Sequence, residues 1–465
     1  MLKKITLLLL LLSSNVSFAQ IKLPAFFGDH MVLQQNERAP VWGTDKPNIN
    51  IEVTGSWGEN ASIKSDQNGK WKLNIQTPSA GGPYTVTVQG SDKKTLSNVL
   101  IGEVWLCSGQ SNMEMPVRGF NNQPINGSNE TILNSTNDQI HLFTVKRNAS
   151  VTPLDNVEGK WSSADPSSVE GFSATAYYFG KKLQSILNVP IGLIHTSWGG
   201  STAEAWMDEA TLSEFKTIEI PTEIPESRIN QAPTLLYNAM IHPLKGYSIK
   251  GVIWYQGESN ASRAEAYKTI FPTMVESWRS QWEVGSFPFY FVQIAPFGYQ
   301  NLNSAFLREA QLHTMQNLEN TGMVSTIDIG DCNYIHPREK EKVGDRLAYW
   351  ALAKDYGIDA IAYSGPVYKQ IRKNEKGEVT LEFDFAETGL SSFGRKLNGF
   401  EVAGEDQVFH IAEAKINGNR TLTVWSDQEK APVSVRYAFK NCSEGSLFNT
   451  KGLPASSFRT DSWDK

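Results

Sequence analysis

Val99-Leu100-Ile101-Gly102-Glu103-Val104-Trp105-Leu106-Cys107-Ser108-Gly109-Gln110-Ser111-Asn112 is the stretch in which the chain changes character. Glu103 to Cys107 reads as a short apolar strand that ends in a glycine-containing turn. Downstream, strand-like runs at 191–194, 252–255, 289–294 and 323–327 alternate with helical spacing at 173–187, 264–282, 304–316 and 339–354. Pro272 predicts a kink or break in the second of these helices. Strands alternating with helices predict an α/β domain, a mainly parallel sheet covered on both faces. In such sheets the site lies at the carboxyl ends of the strands.

Upstream the pattern is different. Ile51-Glu52-Val53-Thr54, Trp71-Lys72-Leu73-Asn74-Ile75 and Tyr84-Thr85-Val86-Thr87-Val88 alternate with period two, separated by turn residues. They predict a small β-sandwich over residues 20–100. After the α/β region, 101–362, alternation returns in Val379-Thr380-Leu381-Glu382-Phe383 and Val433-Ser434-Val435-Arg436-Tyr437. Residues 363–465 are therefore β-rich, either a separate sandwich or strands completing the N-terminal one. At 465 residues the chain is long enough for two or three such domains.

The net charge of −6 is small for this size and argues against nucleic acid or an anionic membrane surface as the main partner. Lys3 and Lys4 precede an apolar run at 5–12 and the small-residue site Ser17-Phe18-Ala19. Residues 1–19 thus read as an export signal, with the mature chain starting near Gln20 and ending up periplasmic or secreted. No later stretch is long and apolar enough to insert in a membrane. Of the three cysteines, Cys107, Cys332 and Cys442, at most one internal pair can form. A Cys107–Cys332 bridge and three free thiols are both open, and the spacing fits no zinc pattern.

Four short motifs follow predicted strands in order. In Gly109-Gln110-Ser111-Asn112 the glycine allows a tight turn that exposes Ser111, a nucleophile if a base takes its proton. Its own N–H would face a developing oxyanion. In Trp198-Gly199-Gly200-Ser201 a glycine lets a backbone N–H approach a substrate oxygen. In Tyr255-Gln256-Gly257-Glu258-Ser259-Asn260, Gln256, Ser259 and Asn260 are candidates for a third donor, whereas Glu258 reads as a structural acceptor. In Asp328-Ile329-Gly330-Asp331-Cys332-Asn333-Tyr334-Ile335-His336-Pro337, His336 is the candidate base, since His195 and His242 sit in apolar surroundings. Asp331 and Asp328 are placed to orient its ring, or to cap the turn and the helix.

This order of motifs resembles the SGNH hydrolase superfamily. With Met31-Val32-Leu33-Gln34, Val41-Trp42-Gly43, Gly102-Glu103-Val104-Trp105 and Phe458-Arg459-Thr460-Asp461, the chain resembles its sialate O-acetylesterase family over nearly the whole mature length. The resemblance implies a flavodoxin-like, three-layer α/β/α catalytic domain with flanking β-sandwich elements. It also implies metal-free removal of acetyl groups from O-acetylated sugars. It assigns Ser111 as nucleophile, His336 as base, and the Ser111 N–H, Gly200 N–H and Gln256 side chain as oxyanion hole. The chain departs from the pattern in one place. The superfamily's acid lies three residues before the histidine, where Asn333 stands, so the third member is open between Asp331, Asp328 and a Ser–His dyad held by a backbone carbonyl.

The function expected is acyl transfer through an acetyl-Ser111 intermediate, without metal or cofactor, on O-acetylated sialic acid. Acetylated xylan or another polysaccharide is the alternative substrate. A carbohydrate-binding protein on a decayed esterase scaffold is the alternative of another class. Arg118 and Arg338 are candidates to meet a sialate carboxylate, and Trp198 and Trp206 to stack on a sugar ring.

Overall fold

The structure is a computed structural model that describes residues 20–373 and 378–463. The expected export segment, 1–19, lies outside the described residues. The fold is organised by strand β1, Lys93–Gly109, seventeen residues long. Its first half pairs with Gly81–Gln89 and Val32–Gln34 in the N-terminal β region. Its second half is buried throughout and lies between two parallel strands of a central sheet. The boundary expected near residue 100 is therefore no linker, because one strand carries the chain from the first sheet into the second.

The central sheet adds β2 (Asn137–Thr144), β3 (Trp161–Ala164), β4 (Ile191–Ser197), β5 (Gly251–Tyr255), β6 (Phe289–Val292) and β7 (Thr321–Val324). The order is β7-β6-β5-β1-β4-β2-β3, parallel except for the edge strand β3. Because every inner strand is covered on both sides, its side chains are apolar at successive positions rather than alternate ones. Val104 and Leu106 of β1 point into one core, shared with helices α3 (Ala264–Trp282) and α4 (Ala305–Asn317). Trp105 and Cys107 point into the other, shared with α2 (Ala174–Leu187) and α5 (Lys340–Lys354).

Helix α3 runs unbroken through Pro272. Its apolar face, with Tyr267, Ile270, Phe271, Met274 and Trp278 all buried, spans the proline. Packing on this scale outweighs the roughly 3 kcal/mol that an interior proline costs a helix. The chain passes from β4 to β5 across β1, so the strand order reverses there and a crevice opens at the carboxyl ends of β1 and β5.

The C-terminal region forms two four-stranded sheets around its own core of Val379, Leu381, Phe400, Val435, Tyr437 and Phe458. Among the described residues none of its strands pairs with the N-terminal region, so it is a sandwich in its own right. A disulfide joins Cys332 to Cys442, Cα atoms 5.5 Å apart, and so ties the loop after β7 to this sandwich. Cys107 is buried and free. This replaces both the Cys107–Cys332 bridge and the three free thiols: Cys107 faces the interior of the central sheet, whereas Cys332 lies on an exposed loop. Among the described residues no helix is long and apolar enough to cross a membrane.

Candidate active site

The turn after β1 is built around Gly109. Its φ is +141°, and a Cβ there would stand 2.2 Å from the Tyr255 carbonyl oxygen of β5. Glycine is required on both counts. Gln110 N–H donates to that carbonyl (2.9 Å), and the Gln110 side-chain oxygen accepts from Gly257 N–H (3.2 Å). The turns after β1 and β5 thus brace each other. Ser111 opens the single helical turn α1 (Ser111–Glu114).

His336 arrives from the loop after β7. Its Nε2 lies 2.8 Å from Ser111 Oγ. Its Nδ1 lies 2.5 Å from the side-chain oxygen of Gln123. With that oxygen accepting, Nδ1 carries the proton and Nε2 is free to accept from the Ser111 hydroxyl. Phe120 packs edge-on against the imidazole, centroids 5.4 Å apart. Burial, and after it the charge of Lys340, hold the His336 pKa down at about 4, so the ring is neutral near neutral pH.

Neither acid candidate reaches Nδ1. The loop folds into a tight turn, Tyr334 N–H to Asp331 C=O (3.1 Å), which aims the Asp331 carboxylate at Asn333 N–H (2.9 Å) and Arg338 (2.9 Å). Asp328 holds Arg346 in a two-point ion pair (2.8 and 2.6 Å). The place beside the ring is filled by Gln123, from the loop between α1 and β2.

Beneath Ser111, Asn112 is fully buried. Its amide donates to Glu258 (2.5 Å) and to the Ile335 carbonyl (3.0 Å), and its oxygen accepts from Lys340 Nζ (2.5 Å). Asn112 therefore links the neighbour of Ser111 to the neighbour of His336. Lys340 is wholly buried at the first residue of α5, where the helix dipole also disfavours a cation. Burial pulls its pKa down to about 7, against the opposing pull of Glu258. Burial raises the pKa of Glu258 in turn.

The glycine loop after β4 lies against Ser111. A Cβ on Gly199 would come within 3.3 Å of Ser111 Cβ and 2.9 Å of Glu114 Oε2. Gly199 N–H donates to Glu114 (2.5 Å) and its carbonyl accepts from Asn230 (2.6 Å). Gly200 adopts φ +73°. The backbone N–H groups of Ser111 and Gly200 make no hydrogen bond among the described residues.

Gln256 does not join them. Its side-chain N–H groups go to Ser201 C=O (3.1 Å) and Asn260 Oδ1 (2.7 Å), and its oxygen accepts from Tyr267 (3.0 Å). A wholly buried amide that is satisfied on every side braces the crevice and offers nothing to an oxyanion. The Asn260 amide donates to Glu204 (2.9 Å) and is likewise engaged.

A cavity of about 620 Å³ opens beside the pair, lined by Glu114, Arg118, Phe120, Gln123 and His195 among others. Arg118 is exposed at its edge and has no carboxylate partner among the described residues. Arg338 is engaged with Asp331 and lies over the Tyr334 ring. Trp198 is half-buried with the Arg147 guanidinium 5.7 Å from its ring centre, and Arg147 pairs with Glu114. Trp206 is fully buried, donating to Ser201 Oγ (2.9 Å), and presents no face to a sugar. His195 is buried too: its Nε2 meets Ser197 Oγ (2.6 Å), and burial lowers its pKa to about 4.

A family model described as carbohydrate esterase, sialic acid-specific acetylesterase, matches residues 101–353, more than half of the chain. The chain belongs to that family. It is accordingly an esterase. The sialate O-acetylesterase of Mus musculus is 31% identical over 448 residues, covering 82% of each chain. That of Homo sapiens is 30% identical over 415 residues, covering 80% of this chain and 77% of its own. A carbohydrate acetylesterase from Xanthomonas citri, 39% identical, superposes with a TM-score of 0.88 over 96% of this chain and 100% of its own.

Sequence reasoning about this esterase missed Gln123 and Lys340. Gln123 sits in the run Asn121-Asn122-Gln123, polar and without a motif. Only its place in the folded loop distinguishes it. Lys340 carries a weak signal, a lysine opening a helix where acidic residues are favoured.

Proposed function

We propose that the protein is an exported carbohydrate O-acetylesterase in which Ser111, His336 and Gln123 form the reacting unit. The observation that carries this reading is the pair of contacts on one imidazole, Nε2 to Ser111 Oγ and Nδ1–H to the Gln123 side-chain oxygen. His336 takes the Ser111 proton as Oγ attacks the acetyl carbonyl. The tetrahedral oxygen is held by the Ser111 and Gly200 N–H groups. His336 then hands the proton to the departing sugar oxygen, and water hydrolyses the acetyl-serine by the same route. Gln123 fixes the ring and its tautomer as a triad acid would, but it contributes no negative charge. The strand order supports an SGNH-type reading of the catalytic region: β4-β1-β5-β6-β7 run in the 2-1-3-4-5 order of flavodoxin-like sheets.

The preferred substrate in this reading is O-acetylated sialic acid. The family description names sialic acid, and Arg118 stands unpaired at the cavity edge, where a sugar carboxylate would meet it. Residues 1–19 direct export, and the Cys332–Cys442 bridge supports this, since such bridges persist in oxidising compartments.

The test is Ser111→Ala and His336→Ala assayed on p-nitrophenyl acetate, with fluorophosphonate labelling of the wild type. Each variant is expected to lose at least about 10⁴-fold in kcat, and the label is expected on Ser111. Near-normal turnover by either variant would overturn the mechanism, and an unlabelled Ser111 would point to a non-catalytic binding protein. Acetate release from acetylated sialic acid, xylan and pectin ranks the substrates. Arg118→Ala is expected to raise KM about tenfold for the sialic acid alone.

A further inference from the structure

A second cleft, of about 600 Å³, lies on the N-terminal β region, lined by residues that the catalytic reading does not use. Strand Arg38–Thr44 pairs there with Lys70–Gln76, and the register sets Trp42 directly beside Lys72. The Lys72 ammonium sits 5.8 Å from the centre of the Trp42 ring. Phe26 and Phe27 pack against that indole, centroids 5.4 and 4.8 Å away, yet it remains half-exposed in the cleft. The same cleft reaches Trp71, whose side chain is buried and whose indole N–H has no acceptor among the described residues. A buried donor without a partner is unfavourable, and a ligand oxygen that reached it would satisfy it.

The charge of the cleft is opposite to that of the chain. Four lysines line it, Lys22, Lys70, Lys72 and Lys245, against two carboxylates, Asp66 and Asp155. Both carboxylates are engaged: Asp155 pairs with Lys70 (3.3 Å), and Asp66 accepts the N–H groups of Asn68 and Lys70 (2.8 Å each). Lys22, Lys72 and Lys245 have no carboxylate partner among the described residues. A protein of net charge −6 thus gathers a local excess of two positive charges, four lysines against two carboxylates, around an aromatic wall.

We infer that this cleft is a non-catalytic binding site for a sugar chain bearing carboxylates. The C–H face of a pyranose ring would stack on Trp42, its carboxylates would meet Lys22, Lys72 and Lys245, and a hydroxyl oxygen would accept from the Trp71 N–H. An acidic peptide would supply the carboxylates but no ring for the indole. The choice of a sugar rests on family membership and is independent of the roles given to Ser111 and His336.

The test is binding of the full chain to de-esterified polygalacturonate and to polysialic acid, by calorimetry or affinity electrophoresis. Neither polymer carries an acetyl ester, so a failure of the Ser111 mechanism leaves this measurement untouched. Binding is expected to weaken at least tenfold in Trp42→Ala and in Lys72→Ala/Lys245→Ala. Hydrolysis of p-nitrophenyl acetate should stay within about twofold of wild type. If Trp42→Ala lowers the melting temperature, the lysine pair decides. Absence of wild-type binding to both polymers would overturn the proposal. So would equal binding of dextran sulfate or neutral xylan, or unchanged affinity in the lysine variant.

Discussion

Two segments meet at His336 from opposite sides, and they are held by different means. Residues 109–115 are buried or half-buried, and packing and backbone contacts fix them. Gly109 presses on β5, Asn112 is gripped by Glu258, Lys340 and Ile335, and Ser173 Oγ donates to the Met113 carbonyl (2.5 Å). Residues 118–124 lie at the rim, between buried Val117 and Ile125. Arg118, Asn121 and Asn122 are exposed, and a short backbone pairing of Phe120 with Gln123 holds the loop in shape, with Gly119 in a left-handed turn. Asn126 ties its far end to Arg338 and Glu339. The Ser111 side is set by the core and the Gln123 side by a surface loop. Errors in the first should cost stability and activity together, and errors in the second should cost activity alone.

Among variants that keep Ser111 and His336, the largest combined effect on rate and stability is expected from Gly109→Ala. The added methyl would meet the Tyr255 carbonyl at 2.2 Å in a left-handed conformation, so either β5 or α1 must move. In the proposed mechanism a displacement of about 1 Å at Ser111 costs on the order of 10² in rate, and the strain lowers stability by about 1–3 kcal/mol. Paired melting and p-nitrophenyl acetate assays check both, and wild-type values in both would break the contrast between the two segments. Lys340→Met probes the same side from below. It leaves Glu258 buried with less compensation, and a loss of about 3 kcal/mol or more is expected in denaturant unfolding. Gln123→Ala should do the reverse: kcat falls about 10²-fold through loss of ring orientation, with stability changed by less than about 1 kcal/mol. An equal loss of stability in Gln123→Ala would erase the distinction.

The same contrast explains what was legible in the sequence. The α/β layering and the Ser111 turn depend on local signals: an apolar strand, a glycine at its end, helical spacing after it. So do His336 and the Gly199-Gly200 loop. Gln123 has no local signature, because a glutamine becomes the partner of an imidazole only through a loop closing 213 residues away in sequence. Asp331 misled for the converse reason. A carboxylate five residues before a histidine satisfies its own turn first, and here it also meets Arg338. Gln256 misled likewise, since a strand-end amide is as useful for bracing two turns as for facing a substrate. The continuity of β1 across residue 100 was hidden because each half reads as a complete short strand.

The finest test replaces one amide oxygen by a charge. A catalytic base must be neutral, and with the His336 pKa at about 4 the wild-type kcat/KM should be flat above about pH 5 and fall tenfold per unit well below pH 4. In Gln123→Glu a carboxylate stands where the amide oxygen lay 2.5 Å from Nδ1. It favours the charged imidazolium and should raise that pKa by about 1–3 units. The acid limb then moves up by the same amount, so the variant is slower than wild type near pH 5. At pH 8 both rings are neutral, and there the carboxylate stabilises the imidazolium that forms during attack, so kcat should equal or exceed the wild-type value. Removing the Lys340 charge should move the limb in the same direction but by less, because burial, the larger cause of the depressed pKa, is left in place. An acid limb that stays near pH 4 in Gln123→Glu would mean that residue 123 does not face the imidazole in solution. The rim loop would then have no part in orienting the base.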